Sequence, residues 1–135
     1  MIFGGKDEIK RLSPPERVNE ESALQLDDEL LILIGGFTNG YNSASRSIQF
    51  FNIHQQKWMP ERRLNLPPGI AETHQGVTFD STSRLLYIVS GQLGGACKAA
   101  TRAVVQMHVD TGAYKSLPPL PAGRYFPGVS ISNRL

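Results

Sequence analysis

The sequence predicts an all-β protein in which a unit of four short antiparallel strands is repeated. Two apolar runs of five residues support this, because that length suits a buried strand and is too short for a helix. Leu30–Ile34 leads into Gly35-Gly36, and later in the chain Leu85–Val89 leads into Ser90-Gly91. A pattern that returns at a fixed spacing indicates a repeat architecture.

The spacing of other residues supports the same repeat. The separation between Ile53 and Val109 in the sequence equals that between Trp58 and Tyr114. Between the apolar runs lie short alternating segments and turn-forming polar clusters, as expected for strands joined by tight turns. The predicted strands cover about residues 23–26, 30–34, 48–53 and 57–59 in the first repeat, and 76–79, 85–89, 103–109 and 113–115 in the second.

The repeats divide the chain into four parts. Residues 1–16 are interpreted as a leader or the remnant of an incomplete repeat, 17–63 as the first repeat and 64–123 as the second. In residues 124–135 the segment 128–132 copies the strand that precedes each apolar run, so it is predicted to be the first strand of a third unit. Prolines at 67, 68, 118, 119 and 121 mark places where strands end.

Composition limits the classes of function. The 135 residues suffice for one domain, and 40% apolar residues can form a core. No secretory leader or apolar run of membrane length is visible, so the expected location is cytoplasmic. The single Cys97 is interpreted as a small loop residue. Residues 1–29 carry net charge −4 and residues 30–135 carry +6, but the basic residues are scattered among turns, so no nucleic-acid partner is expected.

The glycine and aromatic positions resemble those of the kelch repeat. A family repeat has two glycines after its second strand, a Tyr seven residues before a Trp, and an Arg about ten residues after it. Here Gly35-Gly36 matches fully, Trp58 matches, and Arg124 lies ten residues after Tyr114. The second copy keeps only one of the two glycines. Residues given structural roles by this resemblance are Gly35, Gly36, Phe51, Trp58, Gly91, Met107 and Tyr114, with Phe51 and Met107 at the Tyr positions.

The resemblance implies a β-propeller of kelch type. It implies two four-stranded blades and the first strand of a third, which is an incomplete ring, with aromatic side chains filling the space between blades. Residues 83–124 are also similar to plant-type kelch-repeat proteins, some of which carry a membrane anchor outside the repeats. The chain is then expected to be a fragment, a truncated product or a piece that assembles with other copies. Its open blade walls predict self-association.

Binding residues are predicted in the long connections. Strands that alternate in direction place the connections after the second and fourth strand of each repeat at one face, and these are the long ones. Kelch proteins generally bind protein partners with such loops, and polar or aromatic loop residues can supply the contacts. The candidates are Tyr41, Asn42, Arg46, Gln92, Lys98, Arg102, Arg124 and Tyr125.

Catalytic and cofactor motifs are weak by comparison. His54, His74 and His108 are far apart in the sequence and none is at metal-ligand spacing from another His or from Cys97, so no metal or cofactor is expected. Two functions remain: a non-catalytic protein-interaction module, and part of a propeller enzyme or sugar-binding protein related to sugar oxidases or sialic-acid epimerases. His74, at the edge of a long loop, is the titratable residue of most interest.

Overall fold

Two four-stranded antiparallel sheets make up most of the computed structural model, which describes residues 13–95 and 98–132. The first sheet has the order β1-β2-β5-β6 and the second β10-β9-β8-β7, with a two-stranded hairpin of β3 and β4. The strands are β1 Ser22–Gln25, β2 Leu30–Ile34, β3 Phe37–Thr38, β4 Ser43–Ala44, β5 Ser47–Asn52, β6 Lys57–Asn65, β7 Gly76–Asp80, β8 Leu85–Val89, β9 Val104–His108 and β10 Tyr114–Leu117. The all-β, antiparallel prediction is confirmed, while the hairpin was not predicted.

The register of the first sheet contains one irregularity. Phe51 lies opposite Trp58, but Gln49 lies opposite Arg63, so β6 has extra residues at this point. Pro60 falls within that bulge. Proline lacks the N–H that a central strand needs, so it is tolerated on β6, which is the last strand of its sheet.

The two sheets share one hydrophobic core but bury opposite sides of equivalent strands. In β2 the buried positions are Leu30, Ile32 and Ile34, whereas in β8 they are Leu86 and Ile88. Leu30 corresponds to Leu85 in the repeat, so Leu86 and Ile88 correspond to Leu31 and Leu33. The positions buried in β8 are therefore the ones that are half-buried in β2. This change of side is what successive units need when each packs on the next, and all five buried residues belong to one cluster.

Polar side chains fix the short turns that join the strands. Oδ1 of Asp27 accepts hydrogen bonds from the backbone N–H groups of Glu29 and Leu30, at 2.8 Å each. Oδ1 of Asp80 accepts one from Thr82, and Oδ1 of Asn52 accepts one from Gln55. These are the local side-chain bonds that make Asp and Asn favourable in turns.

The structure differs from the sequence prediction after β10. No strand is assigned in residues 118–132, so the predicted first strand of a third unit does not form at 128–132. A strand is defined by hydrogen bonds to a neighbouring strand, and residues 128–132 form no such ladder. Pro127 and Val129 instead lie close to Gly76 at the start of β7.

Candidate functional site

The long connections of both sheets lie together at one end of the molecule, here called the loop end. It consists of residues 16–21, 35–46, 66–75, 90–95, 98–103 and 118–127. Backbone hydrogen bonds join the connections across the two sheets, from Gly36 N–H to the Glu72 carbonyl at 2.7 Å and from Glu72 N–H to the Gln92 carbonyl at 2.9 Å. The opposite end, with residues 26–29, 53–56, 81–84 and 109–113, is called the turn end.

Glycines make this close packing of connections possible. Gly36 has φ +107° and Gly91 has φ +99°, a backbone conformation that favours glycine. A Cβ atom on Gly36 would lie 2.7 Å from Cβ of Val18, and one on Gly91 would lie 2.6 Å from the Thr73 carbonyl oxygen. Both residues occupy the glycine position of the repeat.

Two exposed arginines that were predicted to bind a partner donate hydrogen bonds to backbone carbonyls at the loop end. Nε and Nη2 of Arg46 donate to the carbonyl of Leu66, at 3.1 and 2.5 Å. Arg102, at the equivalent position of the second repeat, donates from Nε to the carbonyl of Leu120 at 2.6 Å. In both repeats a backbone bond runs back from the leucine N–H to the arginine carbonyl. We call these two interactions the arginine clamps, and their guanidinium groups already have partners.

A group of aromatic rings from three connections forms what we call the aromatic surface. Its members are Phe37, Tyr41, His74, Tyr125 and Phe126. The Phe37 ring centroid is 5.2 Å from that of Tyr41 and 5.6 Å from that of His74. The His74 centroid is in turn 5.9 Å from Tyr125 and 4.4 Å from Phe126. Tyr41, Tyr125 and Phe126 are 50%, 51% and 62% exposed, whereas Phe37 is buried beneath them.

His74 is held at the centre of this surface by both ring nitrogens. Nε2 lies 2.9 Å from Oε2 of Glu20, and Nδ1 lies 2.8 Å from the hydroxyl oxygen of Thr73, a fully buried residue. Because a carboxylate only accepts, Nε2 of His74 carries a proton and donates it to Glu20. The ring is thereby fixed, and it fixes one oxygen of Glu20.

The backbone around the aromatic surface is unusual for residues with side chains. Glu20, His74 and Phe126 have φ of +56°, +57° and +49°, in the left-handed region that non-glycine residues seldom adopt. Each follows the previous one by about one repeat length, so they occupy equivalent positions in successive units. Strained conformations of this kind cluster at binding and active sites. Glu20 and His74 also shortly precede the neighbouring strands β1 and β7.

The eight predicted binding residues fall into different environments. Tyr41 and Tyr125 belong to the aromatic surface. Gln92 differs from the expectation, because it is only 5% exposed and its side chain donates to the carbonyl of Gly95, so it offers little surface to a partner. Asn42, Lys98 and Arg124 are exposed, as predicted for contact residues. The Tyr125 hydroxyl donates to the Lys98 carbonyl at 2.6 Å.

Sequence reasoning missed three members of the site: Glu20, Phe37 and Phe126. A signal was present for two of them, since His74 was noted and its equivalents one repeat earlier and one repeat later are Glu20 and Phe126. Phe37 carries no such signal, because its place under Tyr41 depends on the unpredicted hairpin.

The repeat aromatics have structural environments that differ between the two units. Trp58 and Phe51 are half-buried with ring centroids 5.1 Å apart, and Met107 is fully buried in the core. Tyr114 is 54% exposed, so the expectation that it fills the space between units is corrected. It lies on β10, the last strand of its sheet, where one side has no neighbouring strand.

The turn end carries a network of charges between the sheets. Arg84 pairs with Asp110 at 2.9 Å and with Asp27 at 3.2 Å, and Arg62 pairs with Asp110 at 2.7 Å. The hydrogen bond from Arg84 lowers the pKa of Asp110, and the same bond raises the pKa of Arg84. Burial alone would raise the pKa of Asp27, but hydrogen bonds from Glu29, Leu30 and Arg84 lower it overall.

Within residues 13–95 and 98–132, no three His, Cys, Asp or Glu residues converge as metal ligands would. That part of the chain also contains no helix long and apolar enough to span a membrane. Cys97 lies outside the described residues.

The fold and site define a class: a repeat protein built from four-stranded antiparallel units packed face to face, with its long connections gathered at one end. A kelch repeat-containing protein of Arabidopsis thaliana is similar, with 33% identity over 96 residues, which is 69% of this chain and 22% of that protein. No family model matches. The chain is therefore a kelch-repeat protein, and it spans about a fifth of the length of the curated relative that it matches.

Proposed function

We propose that this chain is part of a kelch-type protein-interaction module that binds its partner through the loop end rather than catalysing a reaction. The observation that carries the proposal is the aromatic surface, in which Tyr41, Tyr125 and Phe126 are about half exposed although they lie against other rings. Aromatic residues that remain exposed on a rigid scaffold are favoured contacts in protein interfaces.

The test is partner capture with substitutions at the aromatic surface. A photo-reactive amino acid at position 41 or 125 should cross-link a protein partner from an extract of the source cells, and Phe126→Ser should abolish the cross-link. The matched control is position 114, because Tyr114 is as exposed as Tyr125 but lies on β10. Equal cross-linking from 114 and 125, or capture that survives Phe126→Ser, would contradict the proposal.

The outer faces of the two sheets are the faces that point away from the contact between them. They support a second part of the proposal, which is self-association or packing against further blades. The outer face of the first sheet carries Leu31, Leu33, Phe51 and Trp58, all half-buried. In the second repeat, the residues that correspond to Leu31 and Leu33 are Leu86 and Ile88, which are buried between the two sheets. In this proposal, two blades form an incomplete ring, and either more blades or another copy covers the outer faces.

Sedimentation tests this second part directly. We expect the chain to form oligomers at micromolar concentration, and Leu33→Glu to reduce their size, because a charge on the outer face opposes burial. Lys57→Glu, on an exposed residue of the last strand of the same sheet, is the control. A stable monomer of the unmodified chain would contradict self-association.

A sugar-binding or enzymatic role is the second candidate, favoured by the convergence of Glu20, His74 and Tyr125. A carboxylate, an imidazole and aromatic rings are groups that can bind sugar hydroxyls and ring faces. Thermal unfolding in the presence of a panel of mono- and disaccharides separates the two functions. A shift for one sugar that is absent in Glu20→Gln would favour this candidate, and no shift across the panel would leave it unsupported.

A further inference from the structure

The exposed rings of the aromatic surface are open to a cation from outside. Two arginines of the chain already lie over aromatic rings, Arg62 at 4.5 Å from the Phe50 centroid and Arg84 at 5.4 Å from that of Phe79. In the described residues no such contact involves Tyr41, Tyr125 or Phe126. The same chemistry that packs arginine on rings between the sheets is therefore unused at the loop end.

A carboxylate stands beside these rings in a fixed position. Glu20 is 42% exposed at its side chain, and His74, anchored on buried Thr73, binds only its Oε2. Within residues 13–95 and 98–132, Oε1 of Glu20 has no hydrogen-bond partner. A carboxylate oxygen next to aromatic rings matches a positively charged side chain in both charge and shape, and a guanidinium suits it best because it can stack and form two hydrogen bonds.

We infer that the aromatic surface binds a protein segment through a positively charged side chain, arginine in preference to lysine, which lies against the exposed rings and pairs with Glu20. This inference rests on the proposed function, and it names the chemistry of the partner.

The basic residues near the aromatic surface do not favour an acidic partner. The guanidinium groups of Arg46 and Arg102 are bound to backbone carbonyls in the arginine clamps. Nη1 of Arg124 likewise donates to the carbonyl of Gly123. Lys98 is exposed but contacts the aromatic surface through its backbone carbonyl, which accepts the Tyr125 hydroxyl. Glu20 is thus the charged side chain that directly contacts a ring of the aromatic surface.

The test uses three synthetic nonapeptides in which serine alternates with arginine, with citrulline or with glutamate. Citrulline keeps the size and most of the donors of arginine but carries no charge. Titration calorimetry at low salt should show the arginine peptide binding at least about tenfold more tightly than the citrulline peptide. Non-specific attraction does not explain such a result, because the chain has net charge +2 and repels a basic peptide overall.

Variants locate the binding. Glu20→Gln should weaken the arginine peptide about fivefold to tenfold, as loss of roughly 1 to 1.4 kcal/mol requires, and Tyr125→Leu should weaken it similarly. The matched controls are Glu61→Gln, an exposed carboxylate on β6, and Tyr114→Leu on β10. Neither control should change the affinity by more than about twofold.

The possible outcomes separate this inference from the proposed function. The citrulline or glutamate peptide could bind as tightly as the arginine peptide, with this binding lost in Tyr125→Leu. That result would overturn the cationic partner but would still support the aromatic surface as an interaction surface. Equal effects of Glu20→Gln and Glu61→Gln would also overturn it, as would no binding of any peptide. Cross-linking that occurs equally from positions 114 and 125 would instead contradict the proposed function itself.

Discussion

The loop end and the turn end both contain arginines, but they use them differently. At the turn end Arg84 pairs with Asp27 and Asp110, and Arg62 of β6 also pairs with Asp110. At the loop end Arg46 and Arg102 bind backbone carbonyls. All four guanidinium groups therefore have structural partners. What distinguishes the loop end is not charge but its exposed aromatic rings. We therefore propose that a partner binds at the aromatic surface, and we expect the turn end and the arginine clamps to contribute to stability.

The largest expected effect is a glycine substitution at the loop end. In Gly35→Ala the new Cβ would overlap the backbone carbonyl of Glu72, and φ is +63°. Because a backbone atom cannot move aside cheaply, we expect the free energy of unfolding to fall by about 3 kcal/mol or more. Urea denaturation measures this change.

Gly40 and Gly112 provide the controls for Gly35→Ala. Gly40 has nearly the same φ, +67°, with no atom within 4 Å of the added Cβ, so Gly40→Ala should cost about 1 kcal/mol. Gly112, at the turn end, has φ +76° and meets only the Leu64 side chain at 3.1 Å, so Gly112→Ala should cost little more. Equal losses for Gly35→Ala and Gly40→Ala would show that the close packing of the loop end is not what requires glycine.

The arginine clamps give the next effect. Arg46→Met removes a guanidinium that donates twice to the Leu66 carbonyl, and should lower the free energy of unfolding by about 1 to 2 kcal/mol. Arg102→Met, which removes a single donor to Leu120, should cost about 1 kcal/mol. Faster hydrogen exchange at the Leu66 and Leu120 amides would locate the change.

Arg124→Met is the control for the clamps, because Arg124 is exposed and its side chain bonds only to the adjacent carbonyl of Gly123. It should change stability by less than about 0.5 kcal/mol. If all three variants were equally stable, the arginines at 46 and 102 would be free for a partner, as the sequence first indicated.

The strands were predictable because their signals are local. A few neighbouring residues determine an apolar run that ends at glycine or a turn such as those at Asp27 and Asp80. Each of these signals also occurs in both repeats. The third-unit strand at 128–132 has the same local signal, but a strand also needs a hydrogen-bonded neighbour. Sequence similarity between copies cannot supply that neighbour.

The site was only partly predictable, for a physical reason. The long loops were expected at one end, and the predicted binding residues Tyr41 and Tyr125 are exposed there. The roles of Arg46 and Arg102 depend on carbonyls 20 and 18 residues away, which a pattern of residue types does not show. Their recurrence at the spacing of the repeat is nevertheless the signature of a structural position, because a binding residue need not recur in every repeat.

The smallest effect concerns the turn end. Asp110→Asn removes the charge that Arg62 and Arg84 share, and should lower the free energy of unfolding at neutral pH by about 0.5 to 1 kcal/mol, a small value because these side chains are partly exposed and solvent screens them. Asp28→Asn, on an exposed aspartate of the β1–β2 turn, is the control and should have no measurable effect. In about 0.5 M salt the loss in Asp110→Asn should shrink.

The effect of Asp110→Asn on stability should depend on pH. The pKa of Asp110 is lower in the folded chain than the ordinary value of 3.8, so its contribution to stability is fully present above that value and is lost as the pH falls through the folded pKa. Arg84, with a raised pKa, stays charged throughout the acid range. The unfolding curves of Asp110→Asn and the unmodified chain should therefore differ at about pH 6, and they should converge only as the pH falls through the lowered folded pKa of Asp110. A difference that persists unchanged in acid would mean that Asp110 acts through its shape and hydrogen bonds, not through its charge.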